Sequence, residues 1–92
     1  MTSRQDDVEV LTRLKRCFHC GGTELEVREV EELLSVDQYV VRCRVPASVC
    51  LRCGERYFAP NAVSWFDEIR NHVRAGDLSG LKPIGEVLEP AA

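Results

Sequence analysis

The chain lacks a run of about 20 consecutive apolar residues, the length a bilayer-spanning helix requires. No apolar stretch follows Met1-Thr2-Ser3-Arg4-Gln5-Asp6-Asp7, so a secretory peptide is not expected and a cytoplasmic protein is. It has no excess of positive charge. Twelve Lys and Arg stand against 15 Asp and Glu, a net charge of -3, which argues against generic attraction to phosphate backbones. Any nucleic-acid contact would have to come from a local patch. There is no serine, histidine and acid set at an interpretable nucleophilic spacing, and no phosphate-cradling glycine loop. Enzymatic activity is therefore not expected. Nor is there length for a second domain: 92 residues make one small unit, in the range where burial alone leaves a thin margin and a metal staple is commonly recruited.

What the chain has is cysteine, five of them, in the pattern Cys17-Phe18-His19-Cys20-Gly21-Gly22 and Cys50-Leu51-Arg52-Cys53-Gly54, with Cys43 between. Two residues between cysteines let a tight turn aim both sulfurs at one ion, and two such pairs read as one four-thiolate metal centre. The glycine after each second cysteine permits a positive φ and lets backbone N–H groups turn toward the sulfurs. Cys17, Cys20, Cys50 and Cys53 are thus the expected ligands of one structural zinc ion. Four thiolates satisfy zinc and leave no position for a substrate water. A thiol cluster of this kind adds metal-binding free energy directly to folding, about 10–16 kcal/mol in peptide models, so chelation should loosen the middle of the chain. His19 lies inside the first turn and His72 on a later helix, and neither is expected to bind metal. Iron is the chemical rival, because sulfur-rich tetrahedral sites accept either metal and rubredoxins resemble the chain in carrying two CxxCG knuckles.

The expected fold is a small α+β zinc-binding domain in which zinc-ribbon-like knuckles, together supplying four cysteines, flank an antiparallel hairpin that is followed by an amphipathic helix. Three segments are expected: residues 1–16 as a leader or short helix, 17–76 as the metal-binding domain, and 77–92 as an arm or short strand. Residues 6–16 read equally as a short helix, with Asp6 and Asp7 at its start and Lys15 and Arg16 at its end, or as a frayed leader. Over residues 25–34, Leu25, Val27 and Val30 alternate with acids, with a slip at Glu29-Val30 that suggests a bulge. Residues 35–38 should reverse the chain. Tyr39, Val41, Cys43 and Val45 then share one face of the return strand and Val40, Arg42 and Arg44 the other, until Pro46 ends it. Pro60-Asn61 opens a helix with the apolar stripe Ala62, Val63, Trp65, Phe66, Ile69 and Val73, which Gly76 closes in a left-handed position. The arm, punctuated by Gly80, Pro83, Gly85 and Pro90, carries Leu81, Ile84, Val87 and Leu88 and either docks on this chain, orders against a partner, or stays disordered.

Cys43, the odd cysteine, is expected as a small buried hydrophobe, since Arg42 and Arg44 lie on the opposite face and do not lower its pKa. Trp65 and Phe66 read as core residues or interface anchors. Glu24, Glu26, Glu29, Glu31, Glu32 and Asp37 fall on or near one strand, as a solvated face or as a surface complementary to a basic partner.

The first knuckle, the charged hairpin and the run Val45-Pro46-Ala47-Ser48-Val49-Cys50-Leu51-Arg52-Cys53-Gly54-Glu55-Arg56-Tyr57 resemble a YgiT-type zinc finger, the zinc-binding amino-terminal domain of MqsA-like antitoxins, over residues 17–75. The resemblance implies structural zinc on the four cysteines and a domain that binds and neutralises a small toxin, often a ribonuclease encoded by an adjacent gene in a prokaryotic toxin–antitoxin system. Longer relatives append a helix-turn-helix domain, for which residues 77–92 are too few, so DNA binding through such a domain is not expected. The residues expected to face the partner are Glu24, Glu26, Glu29, Glu31, Trp65, Phe66, Leu81 and Ile84, and self-association is left open. The competing reading is a zinc-ribbon nucleic-acid or transcription-associated module acting through Arg42, Arg44, Arg52 and Arg56.

Overall fold

The computed structural model describes residues 4–85 and 90–91. Its elements run in the order α1 (Arg4–Thr12), β1 (Leu25–Val36), β2 (Tyr39–Cys50), β3 (Arg56–Phe58) and α2 (Pro60–Arg74). The strands form one antiparallel sheet in the order β1-β2-β3. No helix among the described residues is long and apolar enough to cross a membrane.

The expected hairpin is present and longer than its sequence pattern suggested. β1 and β2 pair one to one from Leu25 with Cys50 to Val36 with Tyr39, so the slip at Glu29-Val30 is no bulge. It marks a change in which face of the sheet is covered. Beyond that point the even residues of β1, Val30, Leu34 and Val36, join Cys43, Val45 and Ala47 of β2 in a core closed by Ala62, Phe66, Ile69 and Val73 of α2. Toward the cysteine end the opposite parity is buried, at Pro46, Ser48 and Cys50, while α1 lies against β2 and β1 and buries Asp7 and Leu11. Each helix thus covers one face.

Pro46 does not end β2, which continues to Cys50. β3 stops with Phe58 opposite Ala47, so one flank of Pro46 carries no strand, and a residue without an N–H is tolerated there. The reversal takes two residues, Asp37 and Gln38, with Asp37 at φ 54°, a left-handed conformation that aspartate accepts more readily than most side chains.

α1 starts and stops earlier than its charges suggested. It ends at Thr12, yet Lys15 still serves its C-terminus, donating from Nζ to the Thr12 carbonyl at 2.8 Å. α2 opens with Pro60 at its first position, where a missing N–H is harmless. It closes as expected: the Gly76 N–H donates to the Val73 carbonyl and the Asp77 N–H to the His72 carbonyl, with Gly76 at φ 80°. That pair of bonds is a Schellman motif. Val63 and Trp65, placed in the apolar stripe from sequence, are exposed instead; the buried line is narrower. Residues 77–85 hold a turn at residues 79 and 80 and no strand, and Val87 and Leu88 lie outside the described residues.

Phe66 is the largest α2 side chain in the core and meets Phe58 edge-on at 5.4 Å between ring centroids. Phe66→Ala should remove about 3–5 kcal/mol, a large share of the roughly 5–15 kcal/mol typical of such domains. Urea unfolding followed by circular dichroism is expected to show the midpoint falling accordingly.

Candidate metal centre

The knuckles are built alike. In the first, the Gly21 N–H donates to the Cys17 carbonyl at 2.9 Å and the Cys17 N–H to the Gly22 carbonyl at 2.8 Å. In the second, the Gly54 N–H donates to the Cys50 carbonyl at 2.8 Å and the Cys50 N–H to the Glu55 carbonyl at 2.9 Å. Gly21 and Gly54 close the turns at φ 75° and 81°, where a side chain would be strained. At Gly22 the constraint is space: a Cβ there would lie 3.2 Å from Cys20 Sγ and 3.3 Å from Arg52 Cδ, so a side chain would make those neighbours give by a few tenths of an ångström.

Sheet pairing brings the two turns together. Cys50 ends β2 opposite Leu25, the first residue of β1, and the Leu51 N–H donates to the Glu24 carbonyl at 2.9 Å. The sulfurs of Cys17, Cys20, Cys50 and Cys53 consequently lie within 4.8 Å of one another, with 3.6 Å between Cys17 and Cys53 and between Cys20 and Cys50. A tetrahedral ion with metal–sulfur bonds of about 2.3 Å sets its sulfurs about 3.8 Å apart, so the cluster is of a size to hold one. Neither histidine belongs to it; His72 lies on α2, with Nδ1 2.9 Å from Asp77 Oδ2.

The sulfurs are not equivalent. Cys17 and Cys50 are buried, Cys20 is half-buried and Cys53 is exposed. The Tyr57 hydroxyl brings the Cys17 thiol down to about 6, helped by the Cys20 and His19 amides and opposed by burial. The Cys53 amide, with that of Arg52, holds Cys50 below its ordinary value against burial. At Cys53 the Glu55 amide acts in the same direction, but burial and the crowding of Cys17, Cys20 and Cys50 push the thiol up to about 12. Four thiols this close cannot all ionise without a cation among them, which is the electrostatic side of the same fit.

Tyr57 escaped the sequence reading. It lies on β3, a strand the sequence did not announce, opposite Ser48. Its oxygen accepts the Phe18 N–H at 2.9 Å and lies 3.3 Å from Cys17 Sγ. An aromatic residue four positions after the last cysteine was the only available signal. Cys43, by contrast, is buried as expected, and burial followed by the nearby Glu32 raises its thiol above the ordinary value.

The acids do not form one face. With a two-residue side-chain period, Glu29 and Glu31 lie on one side of β1 and Glu26 and Glu32 on the other, while Glu24 precedes the strand. Several pair within the chain: Glu26 with Arg28 at 2.6 Å, Glu31 with Arg42 at 3.6 Å and Glu32 with Arg56 at 3.7 Å. Phe66, expected at a partner surface, is 5% exposed and belongs to the core. Trp65, 40% exposed, and Leu81 line a cavity of about 230 Å³ with Glu68, Ile69, His72, Asp77, Ser79 and Gly80; Ile84 is exposed outside it.

Asp77 organises the arm side of that cavity. The Ser79 hydroxyl first, then His72 and the Ser79 amide, hold its carboxyl at about 2. A depressed carboxylate contributes stability that is complete above its ordinary value of 3.8 and lost as pH falls through about 2. In an NMR titration the Asp77 carboxyl should therefore follow a midpoint near 2, with the Ser79 amide reporting the same transition. Ser79→Ala should move that midpoint up toward 3.8.

No family model matches the chain, and no similar curated protein or solved structure was found, so the case for a metal centre rests on the knuckles and the geometry of their four sulfurs.

Proposed function

We propose that this chain is an antitoxin-like protein-binding module of a toxin–antitoxin system, in which Cys17, Cys20, Cys50 and Cys53 hold one structural zinc ion and the scaffold so fixed binds and neutralises a small toxin, a ribonuclease. The observation that carries the reading is the convergence of four cysteine sulfurs from two matched knuckles at one end of a hairpin. The motif context around them, Cys17 to Gly22 and Val45 to Tyr57, supplies the link to YgiT-type zinc fingers. Zinc held by four thiolates acts as a cross-link with no position left for substrate. The chain's own part is to hold the sulfurs: the knuckle amides favour their ionised form, and the sheet fixes one knuckle against the other.

Protein binding is favoured over nucleic-acid binding by the state of the arginines. Arg42 is paired with Glu31, and Arg56 with Glu32 and with the Glu31 carbonyl, which takes two of the four cations away from a phosphate backbone. The exposed apolar side chains of Trp65, Leu81 and Ile84 offer contacts of the kind that anchor protein interfaces.

Elemental analysis of the purified protein should find one zinc per chain; a coloured, iron-containing protein would replace zinc in this reading. Chelation should speed amide exchange at Gly21, Cys17, Gly54 and Cys50, while α2 amides over the separate apolar core keep more protection. Co-expression with the product of the adjacent small gene is expected to yield a co-purifying complex. Repeated recovery of the two proteins apart would count against toxin binding, and salt-sensitive retention of nucleic acid by the chain alone would favour the zinc-ribbon alternative.

A further inference from the structure

We propose that Tyr57 is a positioning residue for the thiolate cluster, its hydroxyl donating a hydrogen bond to Cys17 Sγ while its oxygen fixes the first knuckle through the Phe18 amide. The inference rests on the metal-centre reading above and concerns how this chain sets the donor strength of one ligand.

The two knuckles are matched except at the residue after the first cysteine. In the second knuckle that residue, Leu51, gives its N–H to a backbone carbonyl, Glu24. In the first, Phe18 gives its N–H to a phenol oxygen, Tyr57 Oη, at 2.9 Å. An oxygen already accepting from an amide has its own proton to place, and Cys17 Sγ lies 3.3 Å away. The ring is set by β3, which pairs Tyr57 with Ser48, and the exposed Phe18 ring rests against it edge-on at 6.1 Å and 74°. The phenol is therefore placed by the sheet and bears on the loop.

A hydrogen bond to a ligating sulfur withdraws electron density from it and fixes its direction, as groups behind a ligand commonly do. Cys50, the counterpart of Cys17, has backbone amides for this purpose and no phenol hydrogen-bonded to it among the described residues. The first knuckle thus carries a side-chain control that the second lacks, on a buried sulfur.

The test uses the full chain with cobalt(II) as probe metal. Tyr57→Phe keeps the ring and removes the hydroxyl; Phe18→Ala, at a residue 82% exposed, removes the ring contact and keeps the hydroxyl. Tyr57→Phe is expected to bind cobalt roughly 10–100-fold more weakly in competition with a chromophoric chelator. Its sulfur-to-cobalt charge-transfer absorption should also move to longer wavelength, because a sulfur without the hydrogen bond gives up electron density more easily. Phe18→Ala should keep the wild-type wavelength. If Tyr57→Phe fails to fold, a ring-fluorinated tyrosine in place of Tyr57, with a more acidic hydroxyl, should move the band to shorter wavelength. An unshifted band in a folded, cobalt-loaded Tyr57→Phe or fluorotyrosine protein overturns the assignment to Tyr57. A wild-type protein without any sulfur-to-cobalt band overturns the metal centre itself, and the proposal with it.

Discussion

The register of β1 against β2 is the constraint from which both the core and the sulfur cluster follow. Pairing Val36 with Tyr39 across a two-residue loop fixes every later pair, down to Leu25 with Cys50. A slip of one residue would turn Val30, Leu34 and Val36 away from α2 and shift Cys50 by about 3.3 Å relative to the first knuckle. The apolar face and the thiol geometry therefore reject the same errors. Asp37, in its left-handed conformation at the loop, is where that register is set.

Cohesion is divided between two places. The apolar core joins the hairpin to α2 and contains neither Cys17 nor Cys50, although both are buried. At the cysteine end, α1 contributes Leu11 and a buried Asp7 whose Oδ1 has no partner among the described residues, and Ser48 Oγ, on the strand α1 lies against, is likewise unpartnered there. An unpartnered buried polar atom costs about 1–3 kcal/mol, so this end gains little from packing. A domain of this size has few apolar residues to spare, and four thiols stand where burial contributes least.

The parts of the fold legible in the sequence were those with local rules. CxxCG spacing announced both knuckles, Gly76 the end of α2, and alternation the faces of Tyr39 to Val45, because each depends on a few neighbouring residues. What escaped depended on distant ones. Pro46 reads as a strand end unless it is known that β3 stops one residue short of it. The slip at Glu29-Val30 reads as a bulge unless it is known that α1 covers the other face. Tyr57 reads as the prelude to a helix until β3 sets its hydroxyl beside Cys17. Trp65 and Val63 read as part of the apolar stripe because a helical stripe has no sharp edge in sequence; only the width of the sheet beneath α2 decides which residues it buries.

The same period of two that makes the hairpin legible alters the meaning of its charge. Six acids between Glu24 and Asp37 suggest a negative surface, yet β1 sends alternate residues to opposite faces, and Arg28, Arg42 and Arg56 meet Glu26, Glu31 and Glu32 there. Such exposed pairs contribute little to stability, about 0–1 kcal/mol each, but they do shorten the reach of the field by placing opposite charges within about 4 Å. At physiological ionic strength, where screening acts over about 8 Å, a strip of paired charges steers a distant partner less than its composition implies. Under the proposed protein-binding role, discrimination would then fall to contacts made at short range. In the proposed complex Trp65 and Leu81 would be among the side chains to make them, beside a cavity lined also by Asp77 and Ser79.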